Sequence, residues 1–482
     1  MKNRVFIIGL DGGDLGLLTR YARDLPNISE LEEKGSSSRL RSTFIPLTPA
    51  AWASAFTGVQ PHKHGIWDWS EEGGESKQLV SSLSIRIPSL WEYIKDLRIG
   101  LLNIPMTFPP SRVNGFMISG LLSPSLEKAV YPKNLSKDLR RLGYVISNKE
   151  RFTNKNKRSY LEGLLGTVES RTRAALFLLS NYELDLFWIV YQGTDHAGHF
   201  FWKDMDENHP LHEPGSMYKD AIKKVYKKVD EGIGKILQYA DENTTVILMS
   251  DHGMGPCHYV FHINSWLCQM GYQKSESDFR SFFQKIGVNP ASLYRLGERF
   301  GFLRIFDALP RKYQNRLVHL FSDKDSSGTL AYSNGYYGQV RITDKTRHDK
   351  IEITNDLESR LRNLRTPNGK PLIDDFYSKI ELYEDAPEMI PDILFTLTDE
   401  SCLVSPFNAD SNRVFSQVSF NWSGIHYRDG VLILSGHKVK NRAINPNIAD
   451  IAPTVLYLLD RKTPTYMDGR VLTEAFEEDN PR

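Results

Sequence analysis

The sequence predicts an α/β protein built on a doubly wound, mostly parallel sheet flanked by helices, with helical insertions forming a cap. Three observations carry that expectation. Short apolar runs rich in β-branched and aromatic residues recur at 5–10, 184–192, 246–249 and 431–436, as buried strands do. Between them lie stretches of helical periodicity, above all 218–238, with apolar residues at 218, 221, 222, 225, 229, 233, 236 and 237. Three of the apolar runs stop on, or just before, carboxylates and imidazoles. Functional groups gather in this way at the strand carboxyl ends of an open α/β sheet.

Composition bounds the remaining possibilities. At 482 residues the chain has room for two or three average domains, or for one large α/β domain with insertions. Hydrophobic residues make up 40% and charged residues 25%, ordinary values for a globular protein. Lys+Arg at 60 and Asp+Glu at 59 nearly cancel, so no global basic field points to nucleic acid. Cys257, Cys268 and Cys402 are too few and too scattered for a disulfide framework or a thiolate zinc site. No run approaches the roughly 18–20 apolar residues of a membrane span. Met1-Lys2-Asn3-Arg4 followed by an apolar stretch imitates a secretory signal, but the stretch ends at Asp11 after about six residues, too short for a secretory apolar region. The expectation is a cytoplasmic protein; its oligomeric state is left open.

The first strand, 5–10, runs into Asp11-Gly12-Gly13-Asp14. Neither GxGxxG nor a P-loop is present, so Asp11 reads as a strand-end metal ligand and Asp14 as the cap of a following helix. Thr48-Pro49 then opens a helix that Gly58 closes, which predicts Thr48 as its N-cap, where helix amides favour negative charge. His62 and His64 follow in a loop and read as supporting or surface groups. Residues 99–102 and 116–120 are strand-like, 127–157 is a basic surface stretch, and 162–180 is a helix. The 184–192 strand leads into Thr194-Asp195-His196-Ala197-Gly198-His199, where Asp195 and His199, four apart, share one helical face. His196 would point elsewhere, toward substrate. The central strand Val246-Ile247-Leu248-Met249 runs into Ser250-Asp251-His252-Gly253. A solvated turn would explain that stretch alone, but not its recurrence. His426 stands in a Gly-bounded loop just before the 431–436 strand.

Asp11, Asp195, His199, Asp251, His252 and His426 together offer three carboxylates and three imidazoles, with the hydroxyl of Thr48 beside them. Six oxygen and nitrogen ligands suit two divalent ions better than one. Two ions with a hydroxyl between them suit displacement at phosphorus, because a bound ion makes the otherwise weak hydroxyl a usable nucleophile.

The ordered set LDGGD, Thr48 nine residues before Thr57-Gly58, HKHGIWD, DHAGH, SDHGM, GIH and the tail NIADIAPTVLYLLDRKTPTYMDGRVL resembles the alkaline phosphatase superfamily, and within it the type I phosphodiesterase/nucleotide pyrophosphatase-like branch. The resemblance covers 4–68, 185–272 and 420–475. It implies an alkaline phosphatase-like core in which Asp11, Thr48, Asp251 and His252 bind one ion and Asp195, His199 and His426 the other. It also implies a phospho-threonine intermediate and zinc, with manganese as the alternative. Two departures limit it. The Asn that follows His-Gly-Ile/Val in the known nucleotide pyrophosphatases is missing, since Trp67, Asp68 and Trp69 stand there, and no sulfatase-type Cys/Ser-x-Pro-x-Arg is present.

The expected activity is therefore hydrolysis of a small-molecule phosphoester, foremost a phosphodiester, with a nucleotide-like substrate among those the resemblance implies. A phosphomonoesterase or phosphomutase is the alternative within the superfamily, and a non-catalytic phospho-ligand binder the alternative outside it; substrate-binding residues are left unassigned. The expected organisation puts 1–272 with 329–482 in the catalytic core, with a surface insertion around 70–160. Residues 273–328, rich in Phe, Arg and Leu and free of ligand candidates, would form a helical cap or lid, or else a pack that only covers the core.

Overall fold

In the first strand, β1 (Arg4–Leu10), side chains alternate between two buried faces. Phe6, Ile8 and Leu10 enter one hydrophobic core, and Val5 and Ile7 enter another. A strand buried on both faces belongs inside a sheet covered by helices on each side. The computed structural model, which describes residues 3–71, 78–273, 328–343, 350–383, 385–407, 413–419 and 421–476, has this arrangement.

The sheet has eight strands, numbered here in chain order: β1, β2 (Ser36–Arg41), β3 (Ile99–Ile104), β4 (Gly115–Ser119), β5 (Val130–Tyr131), β6 (Leu186–Tyr191), β7 (Thr244–Met249) and β8 (Asp429–Gly436). Their spatial order is β2-β8-β7-β1-β6-β3-β4-β5. β1 pairs in parallel with β6 and β7, and β3 in parallel with β6 and β4. β8 runs antiparallel to both β7 and β2, and β5 antiparallel to β4. On the first face pack helices Leu15–Tyr21, Pro26–Lys34, Lys157–Asn181, Gly193–Met205 and Ala221–Leu237; on the second pack Thr48–Thr57 and Ile451–Leu458. The predicted α/β class and parallel core are present. The carboxyl ends of β6, β1 and β7 lie side by side, so the segments leaving them are held within about 10 Å of one another.

Of three local expectations, one holds and two change. Asp14 does cap the first helix, accepting from the Leu17 amide at 2.9 Å. Thr48, expected as an N-cap, is the first helical residue. Leu47 takes the cap with extended backbone, so the Thr48 side chain is not spent on its own helix. Residues 99–131, expected within a surface insertion, supply β3, β4 and β5 of the main sheet. Leu101, Leu102, Phe116 and Ile118 are fully buried, and their fit to both cores overrides the polar, Pro-rich sequence around them.

The chain divides into two compact units, the first of 1–207, 212–255 and 424–482 and the second of 208–211 and 256–423. The second unit is thus wider than the expected insertion of 273–328, taking in 208–211, 256–272 and 329–423 as well. Among its described residues are a three-stranded and a four-stranded sheet, with a core around Phe261, Trp266, Leu357, Ile393 and Phe395. Most of the expected lid, 274–327, lies outside the described residues.

Candidate metal centre

Every residue singled out as a ligand lies in the first unit, at one end of the sheet. Asp11 follows β1. Gly12, at φ +63, turns the chain there and donates its amide to Asp251 Oδ1 at 3.1 Å; a Cβ at Gly12 would press on the Asp195 backbone and carboxylate at 3.0–3.1 Å. Asp195 and His199 sit one turn apart in the helix that follows β6, as their spacing predicts. Asp251 and His252 follow β7. His426 arrives on a short strand, Gly424–Tyr427, paired with Gly253–Pro256 just past His252. Thr48 enters at the start of its helix and is 4% exposed. That helix lies close on the sheet because Gly9 of β1 carries no side chain where Trp52 packs.

The three imidazoles are oriented alike. Nδ1 of His199 donates to the Gly424 carbonyl at 2.7 Å, Nδ1 of His426 to the Pro46 carbonyl at 2.7 Å, and Nδ1 of His252 to the Gly253 carbonyl at 3.0 Å. A carbonyl only accepts, so the hydrogen on each neutral ring belongs on Nδ1 and the Nε2 lone pair faces inward. Such backbone contacts fix tautomer and aim in metal-binding histidines. The inward atoms crowd together. His199 Nε2 lies 2.9 Å from His426 Nε2, and these two lie 3.2 and 3.3 Å from Asp195 Oδ1. His252 Nε2 lies 3.3 Å from Asp251 Oδ2 and 3.8 Å from Asp11 Oδ1, and its ring stacks on that of His426 at 3.6 Å.

Two lone pairs 2.9 Å apart repel each other unless a proton or a cation lies between them. Asp11 Oδ1, Asp195 Oδ1 and Asp251 Oδ2 are buried without hydrogen-bond partners, which is costly for carboxylates. Among the described residues their ion-pair partners are histidines, with no Lys or Arg. A tetrahedral ion with ligands at about 2.0–2.1 Å separates its ligand atoms by about 3.3 Å, close to most of these spacings. The donor set therefore fits divalent cations. Two trios meet the requirement directly, Asp11-Asp251-His252 and Asp195-His252-His426, with His199 beside the second.

The charge balance points the same way. Burial, then the neighbouring Asp251 and Asp195, push the Asp11 carboxyl well above its ordinary range. Burial also raises Asp251 well above its range, against the pull of the Gly12 amide. Burial opposes ionisation of Asp195 too, yet His199 and His426 outweigh it and hold its carboxyl well below the usual value. Burial, then the adjacent His426, keep His252 neutral far below its usual pKa, and burial lowers His426. Thr48 Oγ1 reaches His252 Nε2 at 3.4 Å, placing a buried hydroxyl beside the imidazole common to both trios.

Sequence reasoning missed the backbone acceptors Pro46 and Gly424, which have no side-chain signature, and the Gly12 amide. It placed His64 only as a supporting or surface group. His64 is fully buried, takes the Ile66 amide at Nδ1, and meets Ser54 Oγ of the Thr48 helix at 2.9 Å through Nε2. His196 lies apart from the ligand trios, its Nδ1 3.4 Å from the Tyr160 hydroxyl.

A mostly parallel eight-stranded sheet flanked by helices, with a His/Asp cluster and a hydroxyl at the carboxyl ends of its central strands, has the alkaline phosphatase-like α/β fold. Residues 5–400 match the model of the type I phosphodiesterase / nucleotide pyrophosphatase family, and the chain belongs to that family of phosphoester hydrolases. The fold is shared with solved structures of low sequence identity. Phosphonoacetate hydrolase from Sinorhizobium meliloti 1021, solved with phosphonoformate, is 14% identical with a TM-score of 0.58 over 95% of each chain. Human ectonucleotide pyrophosphatase / phosphodiesterase 5 is 13% identical with a TM-score of 0.55 over 98% of this chain and 100% of that one. A comparison with curated proteins finds no match. No helix among the described residues is long and apolar enough to cross a membrane.

Proposed function

We propose that this protein hydrolyses phosphodiesters through a phospho-threonine at Thr48, with two divalent ions, zinc in the first place and manganese as the alternative. Asp11, Asp251 and His252 would hold one ion, with Thr48 beside it, and Asp195, His199 and His426 the other. Bound there, the ions would supply Lewis acidity, easing ionisation of the hydroxyl and neutralising phosphoryl oxygens. Thr48 Oγ then attacks phosphorus, one P–O ester bond breaks, and the first alcohol leaves with the proton the hydroxyl gave up. Water cleaves the phospho-threonine in the second step, releasing a phosphomonoester and restoring the hydroxyl. The helix amides behind Thr48 favour the negative charge gathered there. The Nδ1 contacts of the three histidines keep the ligand atoms aimed without reorganisation during turnover.

The observation that carries this reading is the Thr48 hydroxyl, buried and 3.4 Å from the imidazole shared by both ligand trios. The test is metal analysis of the purified protein joined to a phosphoester screen. A chromogenic phosphodiester turned over faster than the matching monoester, with about two metal equivalents bound, is the expected result. Preference for the monoester would move the protein to the phosphomonoesterase or phosphomutase reading, and metal binding without turnover to that of a phospho-ligand binder.

A further inference from the structure

We propose that a small apolar cavity at the ligand edge of the sheet takes a compact apolar substituent of the ester, about the size of a benzene ring, and so turns this chain away from nucleotide esters. This rests on the phosphoester-hydrolase reading above and narrows its substrate class.

Leu79, Val80, Met106, Phe108, Leu121 and Leu122 line a cavity of about 160 Å³ in the first unit. Met106 and Phe108 follow β3, and Leu121 and Leu122 follow β4. Both strands run parallel to β6 and β1, so the cavity stands at the carboxyl edge from which the ligands project. Leu102 is in register with Ile189, and β3 therefore ends level with Tyr191, whose carbonyl accepts the Asp11 amide at 2.9 Å. Val80 and Met106 belong to the hydrophobic core that also holds Trp52, which sets the cavity on the face of the sheet that carries the Thr48 helix. Trp52 packs over Gly9 of β1, and β3 is the second strand from β1. Two strand spacings are about 10 Å, the span of an ester substituent leaving a phosphorus held at Thr48.

The wall offers apolar contact and little else. The Ser81 hydroxyl, also on the wall, is engaged at its own turn, where it accepts from the Leu83 amide at 3.2 Å. The Val80 amide donates to the Trp69 carbonyl at 3.1 Å, and the Phe108 carbonyl takes the Ser82 amide at 2.8 Å. An engineered apolar cavity of about 150 Å³ stays dry and binds benzene, so this one has room for a single ring or a short branched chain. The ring nitrogens of a nucleobase would lose water there and gain no partner from these side chains, which is costly. Leu79 is 49% exposed, so the cavity opens to solvent at that residue.

The backbone that shapes the cavity is unusual. Met106 at φ +64 and Leu122 at φ +72 are left-handed, as is Asn103 at φ +64, a conformation costly for residues with a Cβ. The two strand ends are tied together around them. Thr107 Oγ1 donates to the Ile104 carbonyl at 2.7 Å, Ser119 Oγ to the Thr107 carbonyl at 2.8 Å, and the Gly120 amide to the Ile104 carbonyl at 3.1 Å. Backbone of this kind persists where its surroundings impose it, and it gathers at ligand clamps. Here it brings two large apolar side chains to one cavity.

The experiment uses the full-length protein loaded with zinc and three 4-nitrophenyl phosphodiesters whose second substituent is methyl, benzyl or 5′-thymidyl. In the wild type, kcat/KM for the benzyl ester should exceed that for the methyl ester by at least about tenfold, and should exceed that for the thymidyl ester too. Leu121→Trp, which fills the cavity, and Leu79→Glu, which sets a charge at its exposed mouth, should each bring the benzyl-to-methyl ratio down to about one. A ratio taken within one protein cancels losses common to all esters. Calorimetric binding of benzylphosphonate against methylphosphonate should show the same preference without turnover. Equal kcat/KM for the methyl and benzyl esters in the wild type, a preference for the thymidyl ester, or an unchanged ratio in both variants overturns the proposal. Absence of turnover on every ester instead overturns the phosphodiesterase reading beneath it. The phosphonate pair then tests the cavity alone, and equal binding of the two overturns the cavity's role as well.

Discussion

Replacing Asp251 by Asn separates a metal ligand from a merely structural carboxylate. The two oxygens of Asp251 have distinct tasks: Oδ1 accepts from the Gly12 amide at 3.1 Å, and Oδ2 lies unpartnered 3.3 Å from His252 Nε2. A carboxamide has one acceptor. With its oxygen toward Gly12, its NH2 projects among the ligand atoms; reversed, it sets a donor against the Gly12 amide. Neither orientation serves both. Disturbing a hydrogen-bond partner of a ligand already costs about 10–100-fold in metal affinity, so loss of the ligand itself should cost at least about 100-fold. At free metal well above the wild-type dissociation constant, that loss removes about 2.7 kcal/mol of metal-linked stability. The metal-free variant should be no less stable than the metal-free wild type, because the substitution removes one of three crowded carboxylates. Elemental analysis should find one equivalent fewer, and thermal melts against metal concentration should show a smaller metal-induced gain in Tm. Two equivalents retained at unchanged affinity would refute the ligand assignment.

Thr48→Ala should bind both metals yet lose nearly all turnover; about a tenth or more of wild-type kcat remaining would mean that water attacks phosphorus directly. Gly9→Ala should impair kcat without metal loss and lower stability by about 1–3 kcal/mol, since a Cβ there would meet Trp52 at 2.5 Å and Val190 at 2.9 Å, tilting the helix that carries Thr48. His64 is held neutral, its pKa lowered by burial to about 3, so the unfolded chain takes up its proton first as pH falls. Stability should therefore drop by up to about 1.4 kcal/mol per pH unit below the ordinary histidine range, down to about pH 3. His64→Gln should flatten that part of the curve, as read by denaturant melts between pH 6.5 and pH 4.

The sequence by itself determined the fold class and put forward all seven candidate residues, the fold through short-range patterns and Thr48 and His426 only through the resemblance of the ordered motifs. Apolar runs such as 246–249 and the helical repeat of 218–238 depend only on burial and chain geometry, and Asp11, Asp195 and Asp251 stood where polar ligating groups interrupt or closely follow such runs. Asp195 and His199 could be paired from a four-residue spacing alone. Tertiary structure alone decided which ligand atoms meet. His252 sits within reach of both trios because β7 lies beside β1 and because His426, 174 positions later, is carried in by a strand pairing just beyond His252. It alone decided that Thr48 is a free first-turn hydroxyl and not a cap, since Leu47 takes the extended conformation there. It alone joined the loop around Phe152 to the helix Gly193–Met205 that carries Asp195 and His199, through ring packing of Phe152 on Phe200, 48 positions later. The physical reason is the same in each case: strand and helix patterns are local, while sheet order, carbonyl acceptors and ring packing are set by long-range contacts that no spacing in the chain records.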